Sequence, residues 1–396
     1  MQRALLIRPK RYPSDGRMVM PIGLLSIAAH ARQHGIHVDI LDCEADDWRR
    51  FDFHGYDVYG LSVCMRQQEA GARSIHTRIS DQASDTAQIV VGGTHATFSD
   101  MGMSVIKGEG EQPFLRLCGV DNTFDIETSS LPAYDLLDIE RCFAFGKGEN
   151  PFTTSERVIQ YETSRGCPFA CKFCVSKKFW GNWRGKSPDK ILSELASLKA
   201  DYNIDEVNII DPNLLASPKR ALQIFKAWSS VLPDVSWSNP GGIWVGGLSE
   251  DLLFYMRRSG CTQLTFPIET TNPELAEKYG LDRKVNLKHA ERMACCCRKL
   301  GIAIHGFFIA GMKGQTIKDT KRDLSYARKL GFESVSLNLL VAFPGSEIES
   351  DNLDYKRSTN RKLQTTIQDM QRTYNSKLKW RHPIRYLRKY GLLGAK

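Results

Sequence analysis

Short runs rich in β-branched and apolar residues recur along this chain, with stretches of helical periodicity between them. In the first third, the runs Ala4–Ile7, Val38–Leu41, Val58–Val63 and Gln88–Val91 predict strands, and the spacing between them predicts helices at Pro21–His34 and Gln67–Ser80. Six more strands are predicted further on: Arg157–Thr163, Glu206–Asp211, Val235–Ser238, Gln263–Ile268, Ile302–Ile309 and Ser334–Val341. Several helix starts carry a polar cap followed by proline, at Ser187-Pro188, Ser217-Pro218 and Asn272-Pro273. Proline fits the first helical position because its missing N–H would be unpaired there anyway. Behind the first cap, Ile191, Leu192, Leu195 and Leu198 form one apolar stripe, and Leu252, Leu253 and Met256 do the same behind Ser249.

Strands alternating with helices predict parallel sheets, hence an α/β fold. The expected organisation is a flavodoxin-like doubly wound domain over 1–118 and a linker of little periodicity over 119–155. A partial (β/α)6 TIM-type barrel over 156–348 and a helical, basic C-terminal extension over 349–396 complete it. In such sheets ligands gather at the carboxyl ends of the strands.

Composition alters this picture little: 396 residues at 42% hydrophobic content can bury two or three cores. The first residues hold only a four-residue apolar run before Arg8, so no signal peptide is expected. No stretch approaches the ~20 apolar residues that span a bilayer. The eleven cysteines are expected as reduced thiols in the cytoplasm. Charge is more informative. The net value is +9, but residues 356–396 carry twelve Lys/Arg against Asp369 alone, leaving the rest near neutral. A basic tail can meet nucleic acid or an anionic membrane. Tyr374, Leu378, Trp380, Ile384, Tyr386 and Leu387 are interleaved with these charges, so a solvated helix face packed on the body is expected instead of a nucleic-acid partner.

The densest chemistry lies directly after the first strand of the second region, where Cys167, Cys171 and Cys174 fall within eight residues. Thiolates are the preferred ligands of both zinc and iron–sulfur clusters. A structural zinc would need a fourth ligand nearby, whereas a four-iron cluster on three cysteines keeps one iron open. Cys295, Cys296 and Cys297 sit consecutively in a helical stretch, where adjacent side chains diverge by about 100° and cannot close on one metal. Cys43, Cys64, Cys118, Cys142 and Cys261 are scattered singly.

The CxxxCxxC spacing with Phe173 before the last cysteine resembles the signature of the radical S-adenosylmethionine (SAM) superfamily. That resemblance implies that the three cysteines hold a [4Fe-4S] cluster, that its open iron chelates SAM, and that Phe173 lies against the adenine. One-electron cleavage of SAM would then give a 5′-deoxyadenosyl radical. The pattern Pro21–Ala28, Tyr56–Ser62, Gly92-Gly93-Thr94-His95 and Gly108-Glu109-Gly110-Glu111 resembles the cobalamin-binding domain that precedes the barrel in one class of these enzymes. It implies cobalamin contacts from Ser62, Gly92, Gly93, Thr94, His95 and Glu109. In the barrel the resemblance implies that Asp211 helps position the methionine part of SAM, that Glu269 faces the ribose or the active centre, and that Ile309 with Gly306 and Gly311 supports the adenine. Two departures stand out: Gly311 to Gln315 replaces the family's GxPGE, and the stretch from Thr97 to Val105 is short for a cobalamin domain. The cobalt-ligating DxHxxG motif of other cobalamin proteins is absent, and His95 reads as a hydrogen-bonded turn histidine or a cobalt ligand.

These readings imply cobalamin-dependent radical methylation of an unactivated carbon in a small-molecule or peptide substrate, with a flavodoxin or ferredoxin as electron donor. Radical cyclisation, oxidation or rearrangement uses the same motifs. RNA methylthiolation would need three further cluster cysteines in the N-terminal domain, where no such pattern stands. A non-catalytic cluster- or corrinoid-binding module would show a cluster without reductive cleavage of SAM, and the intact cysteine motif with Phe173 argues against it.

Overall fold

The computed structural model describes residues 2–12, 19–145, 152–281, 285–348 and 361–376. They form two units, Met1–Gly148 with Lys178–Trp180, and Glu149–Lys177 with Gly181–Lys396.

In the first unit, β1 (Arg3–Arg8), β2 (His37–Asp42), β3 (Val58–Ser62) and β4 (Gln88–Gly92) form a parallel sheet in the order β2-β1-β3-β4. Val105 adds a parallel bridge to Val91, extending the row beyond β4. This is the doubly wound order of flavodoxin-like folds, with its switch point between β1 and β3. Helix α1 (Ile22–Gln33) covers one face through Leu24 and Ala28, which pack with Ala4, Leu6 and Val58. Helix α2 (Glu69–Gln82) covers the other, its Ala72, Ile75 and Ile79 meeting Leu5, Tyr59 and Leu61. Two-sided burial is why these strands read as continuous apolar runs. Short helices α3 (Thr94–Phe98) and α4 (Glu111–Leu117) follow β4. Residues 119–145, aperiodic in the sequence, contain α5 (Ile139–Phe145) and a buried Tyr134 whose neighbour Ala133 joins the α1 core.

The second unit holds six parallel strands in chain order: β5 (Val158–Tyr161), β8 (Glu206–Ile209), β9 (Ser236–Asn239), β10 (Cys261–Glu269), β11 (Ala303–Ala310) and β12 (Ser334–Leu339). All six lie where the sequence places them. Two short strands were not anticipated: β6 (Ser164–Arg165) pairs antiparallel with β7 (Arg184–Gly185). After the short α6 (Ser176–Trp180), helix α7 (Pro188–Tyr202) starts on Ser187, whose hydroxyl accepts from Lys190 N, and buries the expected leucine stripe. Helix α8 (Pro218–Val231) starts on its proline, but Ser217 makes no side-chain cap, unlike the expectation. Ser249 caps α9 (Glu250–Arg258) and Asn272 caps α10 (Pro273–Lys278) as predicted. Helices α11 (Leu287–Leu300) and α12 (Ile317–Leu330) complete the alternation.

Helix α13 (Arg361–Asn375) lies along β12, the last strand of the sheet. Asn375 donates to and accepts from the Val335 backbone, at 2.9 Å each, and Gln371 accepts from Leu337 N at 2.7 Å. Side-chain amides thus satisfy an edge that would otherwise invite another strand. Leu378, Trp380, Ile384, Tyr386 and Leu387 lie outside the described residues.

Candidate functional site

The cysteine loop leaves the sheet at β5, and its root is held by side chains from the neighbouring strand. Register pairs Tyr161 with Ile209, so the loops after β5 and β8 run side by side. Asp211, 1% exposed, accepts from Thr163 N at 2.6 Å and from the hydroxyls of Thr163 and Ser164 at 2.5 Å each. Burial pushes its carboxyl above the usual carboxylate range, while the hydroxyls and Arg220 pull the other way. The Thr163 carbonyl accepts from Lys186 N and from Arg220 Nη2 at 2.6 Å. Buried Lys186 is ion-paired with Glu194 at 2.7 Å, and burial lowers its pKa.

Farther along, Lys172 N donates to the Tyr279 carbonyl, and the Lys172 carbonyl accepts from Glu347 N. The loop is therefore clamped by segments that follow β10 and β12. Cys171 is buried in an apolar cluster with Leu275, Tyr279, Ile309 and Met312, and Phe173 packs against the same cluster. The expected site residues Cys171, Phe173 and Ile309 are thus brought together. Cys174 is exposed and Cys167 half-buried. Among the described residues no three Cys, His, Asp or Glu side chains form a group able to hold a single metal ion.

Glu269 ends β10 in an unusual conformation. Its φ is +64°, and Thr270 N donates to the Ile268 carbonyl at 2.7 Å, closing a three-residue γ-turn around it. A non-glycine residue in this region costs about 1–3 kcal/mol and persists only where its surroundings impose it. The surroundings are visible: Asp323, fully buried on α12, accepts from Thr271 N and Thr271 Oγ1 at 2.6 Å each. Its carboxyl is also pushed up by burial.

The remaining barrel candidates divide. Gly306 serves packing: a Cβ there would come within 2.6 Å of the Phe332 ring. Gly311 has φ +83°, and a Cβ would meet Leu339 at 2.9 Å. Gln315, which replaces the family's acid, donates from Nε2 to the Ile309 carbonyl and accepts Met312 N on Oε1. A carboxylate could not supply that donor, so the departure from GxPGE has a structural reason. Asn208, Ser238, Gln263, Thr265 and His305 fall in paired register on one face of the sheet and make it polar, where barrel interiors usually carry branched apolar residues.

In the first unit, the ends of β3 and β4 meet directly. Val63 N donates to the Gly92 carbonyl, and His95 N and Ala96 N both donate to the Val63 carbonyl. Gly93 sits at φ +99°, where a Cβ would come within 2.8 Å of the Val63 carbonyl oxygen, so no other residue fits. Thr97 Oγ1 accepts from Gly108 N, bringing the Gly108–Glu109 turn to the same edge as Ser62, Gly92 and Thr94. Buried His95 pairs through Nε2 with Glu69 at 3.2 Å and through Nδ1 with Ser99 at 3.3 Å, the arrangement of a turn histidine. Arg73 and then His95 hold the Glu69 carboxyl below its usual range.

Comparison with known proteins agrees with this geometry. The B12 binding domain family matches residues 16–117, and the radical SAM superfamily matches 161–327. The chain carries a radical SAM domain preceded by a B12-binding domain. This radical SAM protein is 27% identical to the cytidylyl-2-hydroxyethylphosphonate methyltransferase of Streptomyces wedmorensis, over 88% of this chain and 81% of that one. It is 26% identical to the bacteriochlorophyllide d C-12(1)-methyltransferase of Chlorobaculum tepidum, over 86% and 76% of the two chains. Its fold is similar to that of TsrM, a radical SAM methyltransferase from Kitasatospora setae solved with cobalamin and a [4Fe-4S] cluster, with TM-score 0.70, 17% identity, and 88% and 77% of the two chains covered. The cofactors of these two domains are a [4Fe-4S] cluster with SAM, and cobalamin. The donor sets fit them. Three free thiols on one clamped loop suit iron, and the glycine turn after β4 gathers Ser62, Gly92, Gly93 and Thr94 at the carboxyl ends of β3 and β4. No helix among the described residues is long and apolar enough to cross a membrane.

The sequence reading missed the loop-root residues Thr163, Ser164, Arg220 and Asn213. Asn213 was visible only as part of the stretch after β8, with nothing to mark its partner.

Proposed function

We propose that this protein methylates an unactivated carbon of a small-molecule or peptide substrate, using a radical SAM site and cobalamin. The carrying observation is the clamped three-cysteine loop at the carboxyl end of a parallel sheet, in a chain that also holds the glycine-turn edge of a B12-binding fold. The methyltransferase names of its relatives support the reading. When bound, the cluster and SAM supply radical chemistry and the cobalamin carries the methyl group.

The residues do the rest. Cys167, Cys171 and Cys174 hold the cluster, while Phe173 and Ile309 give an apolar wall beside it. Glu269, held by its γ-turn, presents a carboxylate at the end of β10. Ser62, Gly92, Gly93, Thr94 and Glu109 receive the corrinoid, with His95 bracing α2 and α3 beneath them. The polar sheet face from Asn208 to His305 suits ligands rich in hydrogen-bonding groups. A flavodoxin or ferredoxin as donor and a cytoplasmic setting belong to the same reading, in keeping with eleven free thiols.

The test is anaerobic reconstitution with iron, sulfide and hydroxocobalamin, then desalting, an absorption spectrum, and a reductant-driven assay for 5′-deoxyadenosine beside Cys174→Ala. Retained corrinoid and 5′-deoxyadenosine that depends on Cys174 support methylation. Formation of 5′-deoxyadenosine without retained corrinoid removes the methyl carrier and leaves cyclisation, oxidation or rearrangement.

A further inference from the structure

Asn213 stands immediately before a short 3-10 turn, Leu214–Ala216, at the position where asparagine ordinarily accepts a hydrogen bond from the first backbone N–H groups. It makes no such bond. Its side chain is 3% exposed, and Nδ2 donates instead to Cys167 Sγ at 3.7 Å, within the range for sulfur acceptors. Oδ1 is buried with no hydrogen-bond partner among the described residues, so the amide is not oriented by a competing contact. Asp211, two residues earlier, pins the root of the same cysteine loop. One loop after β8 therefore both fixes where the cysteines emerge and aims a donor at the first of them.

We propose that Asn213 tunes the reduction potential of the cluster through its hydrogen bond to Cys167. This rests on the reading of Cys167 as a cluster ligand. Reduction adds one electron, taken from an external reductant, and part of that charge falls on the ligand sulfurs. A buried N–H donor stabilises the more negative state, and hydrogen bonds to sulfur are among the levers that set such potentials. The amide thus raises the potential, making the cluster easier for an external donor to reduce and a correspondingly weaker reductant of SAM.

The full chain is reconstituted with iron and sulfide and titrated with dithionite or titanium(III) citrate, following the electron paramagnetic resonance signal of the reduced cluster. Asn213→Leu keeps the volume and removes the donor. At the wild-type midpoint its ratio of reduced to oxidised cluster is expected to fall about tenfold, a negative shift of about 59 mV for one electron. Asn213→Asp keeps the shape and adds negative charge, so it is expected to shift at least as far, and it decides the matter if the leucine variant folds poorly. Unchanged potential and g-values in either cluster-bearing variant overturn the proposal. So does loss of iron from both variants while circular dichroism shows them folded, because a tuning bond leaves all three thiolates in place. A Cys167→Ala protein that still assembles the wild-type cluster would sink the ligand reading itself, a separate outcome.

Discussion

Replacing Glu269 by alanine and by glycine in parallel isolates the strain at the end of β10. Both variants lose the carboxylate and its contacts, so those losses cancel in the comparison. What remains is the backbone, held at φ +64° inside the γ-turn of Ile268, Glu269 and Thr270. At an ordinary position alanine is favoured over glycine by about 0.4–1 kcal/mol, because it restricts the unfolded chain. In the left-handed region a Cβ costs about 1–2 kcal/mol, which reverses the order. The glycine variant is therefore expected to be the more stable by about 1 kcal/mol, or roughly 2–4 °C in Tm for a unit of this size. Thermal unfolding followed by circular dichroism on the cluster-free protein measures it. An alanine variant equal to or more stable than the glycine variant would refute the strained geometry, and with it the argument that the bonds of Asp323 to Thr271 impose that conformation on Glu269.

Three further outcomes follow from the same geometry. Burial raises the Asp211 pKa, so its contribution to stability is fullest below the ordinary carboxyl range and is lost as pH rises through the raised value. The stability advantage of wild type over Asp211→Asn should accordingly shrink as pH rises above the ordinary carboxyl range, read from urea midpoints, whereas Asp211→Ala should cost about 3 kcal/mol by orphaning Thr163 N. Gly306→Ala forces a Cβ to within 2.6 Å of Phe332 and 2.9 Å of Phe308, and overpacking of that kind costs about 1–3 kcal/mol; an unchanged Tm would contradict the packing role. Cys64 and Cys174 are exposed, while burial pushes the Cys43 thiol up to about 12, so alkylation of the cluster-free protein at about pH 8 should label the first two well before Cys43. Loading with iron and sulfide should then protect Cys174 and leave Cys64 reactive, as read by peptide mass spectrometry.

The elements that the sequence made legible are those whose signal is local. The strands of the large sheet showed because apolar residues packed against the covering helices alternate with the polar ones of the other face, and the caps at Ser187, Ser249 and Asn272 showed because cap and helix are adjacent. Ser217 misled for the same reason: its dipeptide is right, but its side chain takes no part in the turn. The cysteine spacing was legible as chemistry. Its support was not, because Asp211 lies 48 residues from Thr163 and Asn213 lies 46 from Cys167. A two-residue strand such as β6 leaves no periodicity at all, and the γ-turn at Glu269 depends on a partner on α12. Gln315 looked like a lost acid until its two hydrogen bonds showed that a donor was needed.

The loop root also explains why so many polar groups are buried behind the cysteines. At Thr163 the backbone leaves the sheet: its N–H goes to the Asp211 carboxylate, and its carbonyl is shared by Lys186 N and Arg220. The chain is thus handed from ladder hydrogen bonds to side-chain ones four residues before Cys167, and the point of exit is fixed by groups that cannot slip in register. Buried ion pairs such as Lys186–Glu194 add little net stability, since desolvation offsets most of their attraction. An all-apolar root could be at least as stable. It could not, however, anchor backbone groups that have already left the sheet, and orphaned N–H and carbonyl groups would cost about 1–3 kcal/mol each. With Lys172 held on its far side by Tyr279 and Glu347, the loop is positioned from both ends by different strands. The freedom that remains lies in the cysteine side chains and the exposed end at Cys174, where a cluster would be received.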